Sequence, residues 1–197
     1  MKKIILYVLT YLLASCEGKE PILVKQIISN EMVTILPNLK NPLIKDSIPI
    51  SIPTEFELTK NSSKIIDVDI FYLVDGKRLL DDLIDYQVYN KKNKTKPIHT
   101  LIPYLSSTKS INIIIKERNH LISKNDAKKL LEKYNINRSL DNLKFGDTIK
   151  LITYDKFSKE NKSMIECFSN VSDSIVFGVW LKNKEKVYIK KEINWKL

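Results

Sequence analysis

From Ser47 onward apolar residues recur at every second position, and that period limits what the chain can become more than any other feature. Ile48, Ile50 and Ile52 alternate with Ser47, Pro49, Ser51 and Pro53. Successive side chains of an extended strand point to opposite faces, so a period of two predicts strands buried on one side and wet on the other. The two prolines lack the amide donor of an interior ladder, which predicts that this strand lies at a sheet edge. Thr54 to Thr59 continues as a strand with Phe56 and Leu58 on one face, and Asn61-Ser62-Ser63 then turns the chain. Ile66, Val68, Ile70 and Tyr72 share the next face, with Asp67 and Asp69 opposite. Asp75-Gly76 predicts a type I′ hairpin, in which both central residues take positive φ. Strands are expected at Ile84 to Tyr89, His99 to Tyr104 and Ser110 to Arg118, the last with Ile111, Ile113 and Ile115 inward. Residues 46–120 are therefore expected to form an antiparallel β-sandwich.

Beyond residue 120 the period lengthens. Ser123 followed by Asp126 predicts a helix start, Ala127, Leu130, Leu131 and Tyr134 hold helical spacing, and Asn135 closes the helix. Thr148 to Ile152 reads as a strand, Asp155 to Phe168 as an interrupted helical stripe, and Ser174–Leu181 with Lys186–Ile193 as a hairpin. The nearly continuous apolar run from Ile175 to Trp180 predicts a strand covered on both faces by those helices, and Trp195 is expected to close the core. Residues 121–197 thus read as a small α+β region with a C-terminal β-hairpin. The expected fold class is mainly β, α+β, with the sandwich first. Residues 16–45, punctuated by Gly18, Pro21, Pro37 and Pro42, read as a tether and lead-in, with Met32 to Leu36 as an early strand.

The amino terminus carries a different pattern. Lys2 and Lys3 precede the largely apolar run Ile4 to Leu13, and Glu17, Lys19 and Glu20 end it, which is the build of an export signal. A helix needs about 20 apolar residues to cross a bilayer, so the run is too short to span one. Leu13-Ala14-Ser15-Cys16 resembles the lipobox of bacterial lipoproteins, a resemblance confined to the first 16 residues. It implies removal of residues 1–15 by signal peptidase II and lipidation of Cys16 as an S-diacylglycerol, N-acyl cysteine. Two or three acyl chains would fix the chain to a lipid bilayer essentially permanently. Glu17 stands where some bacteria use an aspartate for inner-membrane retention, so the resemblance points to the outer membrane.

Two shorter resemblances follow. Phe56-Glu-Leu-Thr-Lys-Asn-Ser-Ser resembles the strand-to-turn pattern of bacterial immunoglobulin-like domains. Asp46-Ser47-Ile48, Asp147-Thr148-Ile149 and Asp173-Ser174-Ile175 resemble the Asp-Ser/Thr-aliphatic O-glycosylation signal of one large group of Gram-negative bacteria. That makes Ser47, Thr148 and Ser174 candidate glycosylation sites, although a turn residue ahead of a β-former is also how many strands begin.

Charge and reactive side chains narrow the function. The net charge is +10, and loss of Lys2 and Lys3 leaves +8. The densest cluster, Lys91, Lys92, Lys94 and Lys96, has no interleaved aromatics for base stacking and reads as a solvated loop. Contact with anionic lipid phosphates is its other reading, and no nucleic-acid partner is expected. With Cys16 assigned to lipid, Cys167 has no intramolecular partner. No metal-ligand spacing, phosphate-cradling glycine run or nucleophile elbow occurs, and His99 and His120 are far apart in sequence. Asp67 with Asp69, and Asp81, Asp82 and Asp85, read as exposed carboxylates. No catalytic residue, metal or cofactor is therefore expected. The chain reads as a non-enzymatic binding or structural module of the envelope, with a protein or glycan partner. The alternatives are an immunity or inhibitor lipoprotein against a toxin or lysozyme, and a cell-wall or glycan hydrolase with no linear motif. The hydrolase would need paired carboxylates or a Cys-His pair meeting in a cleft.

Overall fold

The computed structural model describes residues 20–38, 46–80, 85–141 and 143–196. They form a mainly antiparallel, sandwich-like α+β fold of three four-stranded sheets and a few short helices. In chain order the elements are β1 (Ile22–Ile27), β2 (Met32–Ile35), β3 (Ser47–Ser51), β4 (Pro53–Lys60), β5 (Ile65–Val74), β6 (Lys77–Arg78), β7 (Tyr86–Asn90) and α1 (Ile102–Ser107). There follow β8 (Ser110–Glu117), β9 (Leu121–Ser123), α2 (Lys124–Lys133), β10 (Ile149–Thr153), α3 (Tyr154–Glu160), α4 (Lys162–Ser169), β11 (Asp173–Leu181) and β12 (Lys186–Glu192). The first sheet has the order β1-β4-β8-β7, the second β10-β2-β3-β9 and the third β12-β11-β5-β6.

The first and third sheets face one another. Phe56 and Leu58 on β4 stand opposite Ile113 and Ile111 on β8, and all four are buried. Phe56 meets Phe177 of β11 edge-on, with ring centroids 6.2 Å apart. Tyr72 of β5 packs on Tyr86 of β7, whose hydroxyl donates to the Ile70 carbonyl. The second sheet continues from the first, because the antiparallel pair β4/β8 passes into β3/β9 through Ile52 on one strand and Arg118–His120 on the other. His120 is carried into the core by that crossing.

Several elements form where the sequence places them. Asp75 and Gly76 have φ of 48° and 74°, and the hairpin joins β5 to β6. Ser123 caps α2: its hydroxyl accepts from the Asp126 amide at 3.0 Å, satisfying a donor the helix itself cannot. Removing that oxygen in Ser123→Ala should cost about 1 kcal/mol in urea denaturation; no loss would show the cap to be idle. Asn135 takes a φ of 54°, the left-handed turn that ends a helix. Asn161 breaks the stripe between α3 and α4, and Trp195 is 2% exposed.

Other expectations are corrected. β3 is not an edge strand, since it lies between β2 and β9. Pro49 forfeits one donor, but its carbonyl still accepts from Leu36 at 3.0 Å, and the ladders there are short. The segment expected as a strand from His99 to Tyr104 instead enters α1. Pro103 sits in the first turn, where a fixed φ suits a helix, and the Thr108 hydroxyl donates to the Tyr104 carbonyl at its end. The lead-in is part of the body from Ile22 onward: Ile22 and Val24 of β1 and Val33 and Ile35 of β2 are core residues. Residues 46–120 and 121–197 share sheets, because β5 pairs with β11 and β3 with β9, while β10 pairs with β2 of the lead-in. β11 is covered on its outer face by side chains rather than helices. There Lys186 lies 4.1 Å from the Trp180 ring centroid, and Arg78 lies 3.7 Å from that of Phe71.

Candidate functional site

Two groups of polar residues stand out, one closed and one open. The closed one surrounds His120. Its Nδ1 lies 2.7 Å from Glu117 Oε1 and its Nε2 3.2 Å from Asp173 Oδ2. The second contact is an ion pair without an aligned hydrogen bond, for Nε2 and Asp173 Oδ1 lack hydrogen-bond partners. The Tyr72 hydroxyl donates to Asp173 Oδ2 at 3.3 Å, and Glu117 Oε2 accepts from the Asn119 amide. Phe168 and Trp195 meet the imidazole edge-on at 4.7 and 5.1 Å. Burial alone would lower the His120 pKa; the Glu117 and Asp173 carboxylates outweigh it and raise it to about 10. The imidazole is thus a buried cation at neutral pH, held between two carboxylates. Trp195 lines a recess of about 410 Å³ beside Asp155, Lys159 and Glu166, but His120 is not on its walls.

The open group lies where the first and second sheets meet. Gln87 and Tyr89 of β7 stand opposite Lys116 and Ile114 of β8, on the face away from the sandwich. Thr34 of β2 pairs with both Ser51 of β3 and Lys150 of β10, which sets three polar side chains in a row across three strands. All of these but Ile114 wall a recess of about 380 Å³, completed by Glu31, Met32, Leu36, Lys94, Arg118 and Thr148. Four cations and one carboxylate line it. Lys94 is taken by Glu31 at 2.8 Å, and Arg118 donates to Gln87 Oε1, which also accepts from the Tyr89 hydroxyl. Neither Lys116 nor Lys150 has a carboxylate partner among the described residues. Burial lowers the Lys116 pKa, and Lys94, Lys150 and Arg118 reinforce the effect against Glu31. Ser51 is 2% exposed, and its hydroxyl has no hydrogen-bond partner.

Of the residues singled out in the sequence, His120 centres the closed group and Lys94 and Thr148 line the open one, whereas most of the others fall elsewhere. Cys16, with the whole run Leu13 to Cys16, lies outside the described residues, as do Asp81 and Asp82. Ser47 is half-buried in β3, and Thr148 is exposed on the rim of the recess. Ser174 is 1% exposed on β11, so a glycan there has no room in the folded protein. Cys167 is a free, exposed thiol on α4, and His99 is exposed ahead of α1. Asp67 and Asp69 do not converge: Asp67 accepts from Thr100, whereas Asp69 accepts from Trp180 and Lys186. Partial burial would raise the Asp69 pKa, but those two hydrogen bonds hold it below the usual value. Asp85 is buried rather than exposed. The lysine cluster is a solvated loop as expected, with Lys92, Lys94 and Lys96 exposed, although Lys91 pairs with Glu55 of β4 and Lys94 with Glu31. Among the described residues no group of three His, Cys, Asp or Glu is arranged to hold a metal ion. No helix among them is long and apolar enough to cross a membrane.

Sequence reasoning passed over both groups. The alternation that marks Ile111, Ile113 and Ile115 as core assigns Lys116 and Arg118 to solvent, and the partners of His120 sit on other strands. No protein-family model matches the chain, and no curated protein or solved structure matches it significantly.

Proposed function

We propose that the protein is a lipid-anchored lipoprotein of the bacterial envelope, favouring the outer membrane, whose folded part binds a partner and carries out no chemistry of its own. The anchor reading is supported by Leu13-Ala14-Ser15-Cys16 behind a short basic and apolar leader. The binding reading is carried by the recess between β2, β3, β7, β8 and β10, which opens to solvent and gathers cations, hydroxyls and an aromatic ring. Pockets of 300–1,000 Å³ with a few convergent polar groups are typical ligand sites. Hydrolysis is the weaker reading, because the carboxylates that meet a histidine, Glu117 and Asp173, are 1% and 2% exposed.

Two measurements test this. Labelling of growing cells with palmitate should mark the chain and be lost in Cys16→Ser; undiminished labelling in the variant removes the anchor. A photo-crosslinker at Thr148, on the rim, should capture an envelope component that one at Lys128, on α2, does not. Equal capture at both positions removes the recess as the binding site.

A further inference from the structure

We propose that the recess is a phosphate site: it takes a phosphate group borne on a small organic body, through Lys116, Lys150 and the Ser51 hydroxyl. The inference rests on the binding reading above and names the ligand class for the same recess.

Three observations carry it. Lys116 is a half-buried ammonium with no carboxylate partner among the described residues, set among Lys94, Lys150 and Arg118. Like charges gathered in a partly desolvated site repel one another unless an anion joins them. The Ser51 hydroxyl is buried and unpaired although it lines the recess, and a buried polar group without a partner is costly. An oxyanion accepts from the hydroxyl and from both ammonium groups at once, which removes the unpaired donor and the excess of positive charge together. A phosphate monoester carries more charge than a carboxylate, near −1.5 to −2 at neutral pH, and suits a lining with a net charge of +3, four cations against Glu31. The volume, about 380 Å³, exceeds what a bare phosphate fills and leaves room for an attached polar body beside Tyr89.

Phosphate of this kind comes from a soluble ester or from a lipid headgroup, and the test separates them. Titration calorimetry of the purified full chain with inorganic phosphate and with glycerol 3-phosphate should show saturable binding that weakens as salt is added. Glycerol 3-phosphate should bind about tenfold more weakly to Lys116→Gln, and several-fold more weakly to Ser51→Ala. Lys116 has no carboxylate partner to lose, only the Tyr89 ring 5.3 Å from its Nζ, so Lys116→Gln should keep the melting temperature of the unliganded protein to within a few degrees, and a given phosphate concentration should raise that temperature more in the native chain than in the variant. Phosphatidylglycerol vesicles that displace glycerol 3-phosphate, where phosphatidylcholine vesicles do not, assign the site to a headgroup; retention against both assigns it to a soluble ester. Absence of binding by both phosphates, or equal affinity in native chain and Lys116→Gln, overturns the proposal. Capture at Thr148 despite that result would leave the binding reading standing and remove only the ligand class.

Discussion

Replacing His120 with alanine should destabilise the protein by about 3–5 kcal/mol, the usual cost of removing one member of a buried charged group. Glu117 and Asp173 would be left facing each other in the core, without the cation that balances them. For a chain of this length that corresponds to a fall in melting temperature of roughly 6–20 °C. The same group gives the native protein a pH signature. The folded-state pKa of His120 is about 10, whereas an imidazole in an unfolded chain titrates near 6.5. Between those values the folded state holds a proton that the unfolded state has released. The stabilisation is therefore complete below about pH 6.5 and is lost as pH rises toward 10, with a limiting slope of about 1.4 kcal/mol per pH unit. Urea denaturation at intervals from pH 6 to 10 should show this decline in the native chain and a flatter profile in His120→Ala. Parallel profiles for the two would mean that His120 is not the titrating cation.

A chain ended at residue 120 should not fold. It retains the whole first sheet but loses β9, β10, β11 and β12, and with them one of the two neighbours of each of β3, β2 and β5. Without β11 the ten-residue strand β5 keeps only the two-residue β6 beside it, and Phe56 loses the Phe177 ring. A long exposed apolar edge of this kind favours association over folding. The truncated chain should bind a hydrophobic dye and give a collapsed amide spectrum, while the full chain unfolds in a single transition. A dispersed spectrum from the truncated chain would show that the residues up to 120, β1 and β2 included, hold together without the rest.

These two features mark where the sequence could be read and where it could not. Local chemistry was legible wherever it decides the local structure. Asp75-Gly76 forces its turn, Ser123 caps its helix, and the alternating isoleucines of β8 find the core. Which strands lie side by side was not. Nothing in the apolar run from Ile175 to Trp180 names Val68 and Ile70 as its neighbours, because registry between distant strands is set by the packing of the whole. Pro103 shows a second limit. Its neighbours have the look of a strand, and the helix wins because proline suits a first turn and nearby hydroxyls satisfy the end of it. β1 was hidden for another reason: Leu23 is apolar and exposed between Ile22 and Val24, so the alternation is blurred. The recess lay in the residues that alternation assigns to water. A polar face on one sheet meets a polar face on the next, and one strand at a time cannot show that.

The ladder between β5 and β11 also sets a tempo. Tyr72 and Asp173, which meet through it, stand 101 residues apart in the chain. Contacts at such separation must close a long loop before they return any stability, and proteins rich in them fold slowly. A chain emerging amino terminus first has only the two-residue β6 to pair with β5 until β11 arrives near its far end. Under the export proposed above, in which the chain would cross a membrane as an extended thread, that delay would be useful, because the third sheet and the buried charges around His120 assemble only when nearly all of the chain is on one side.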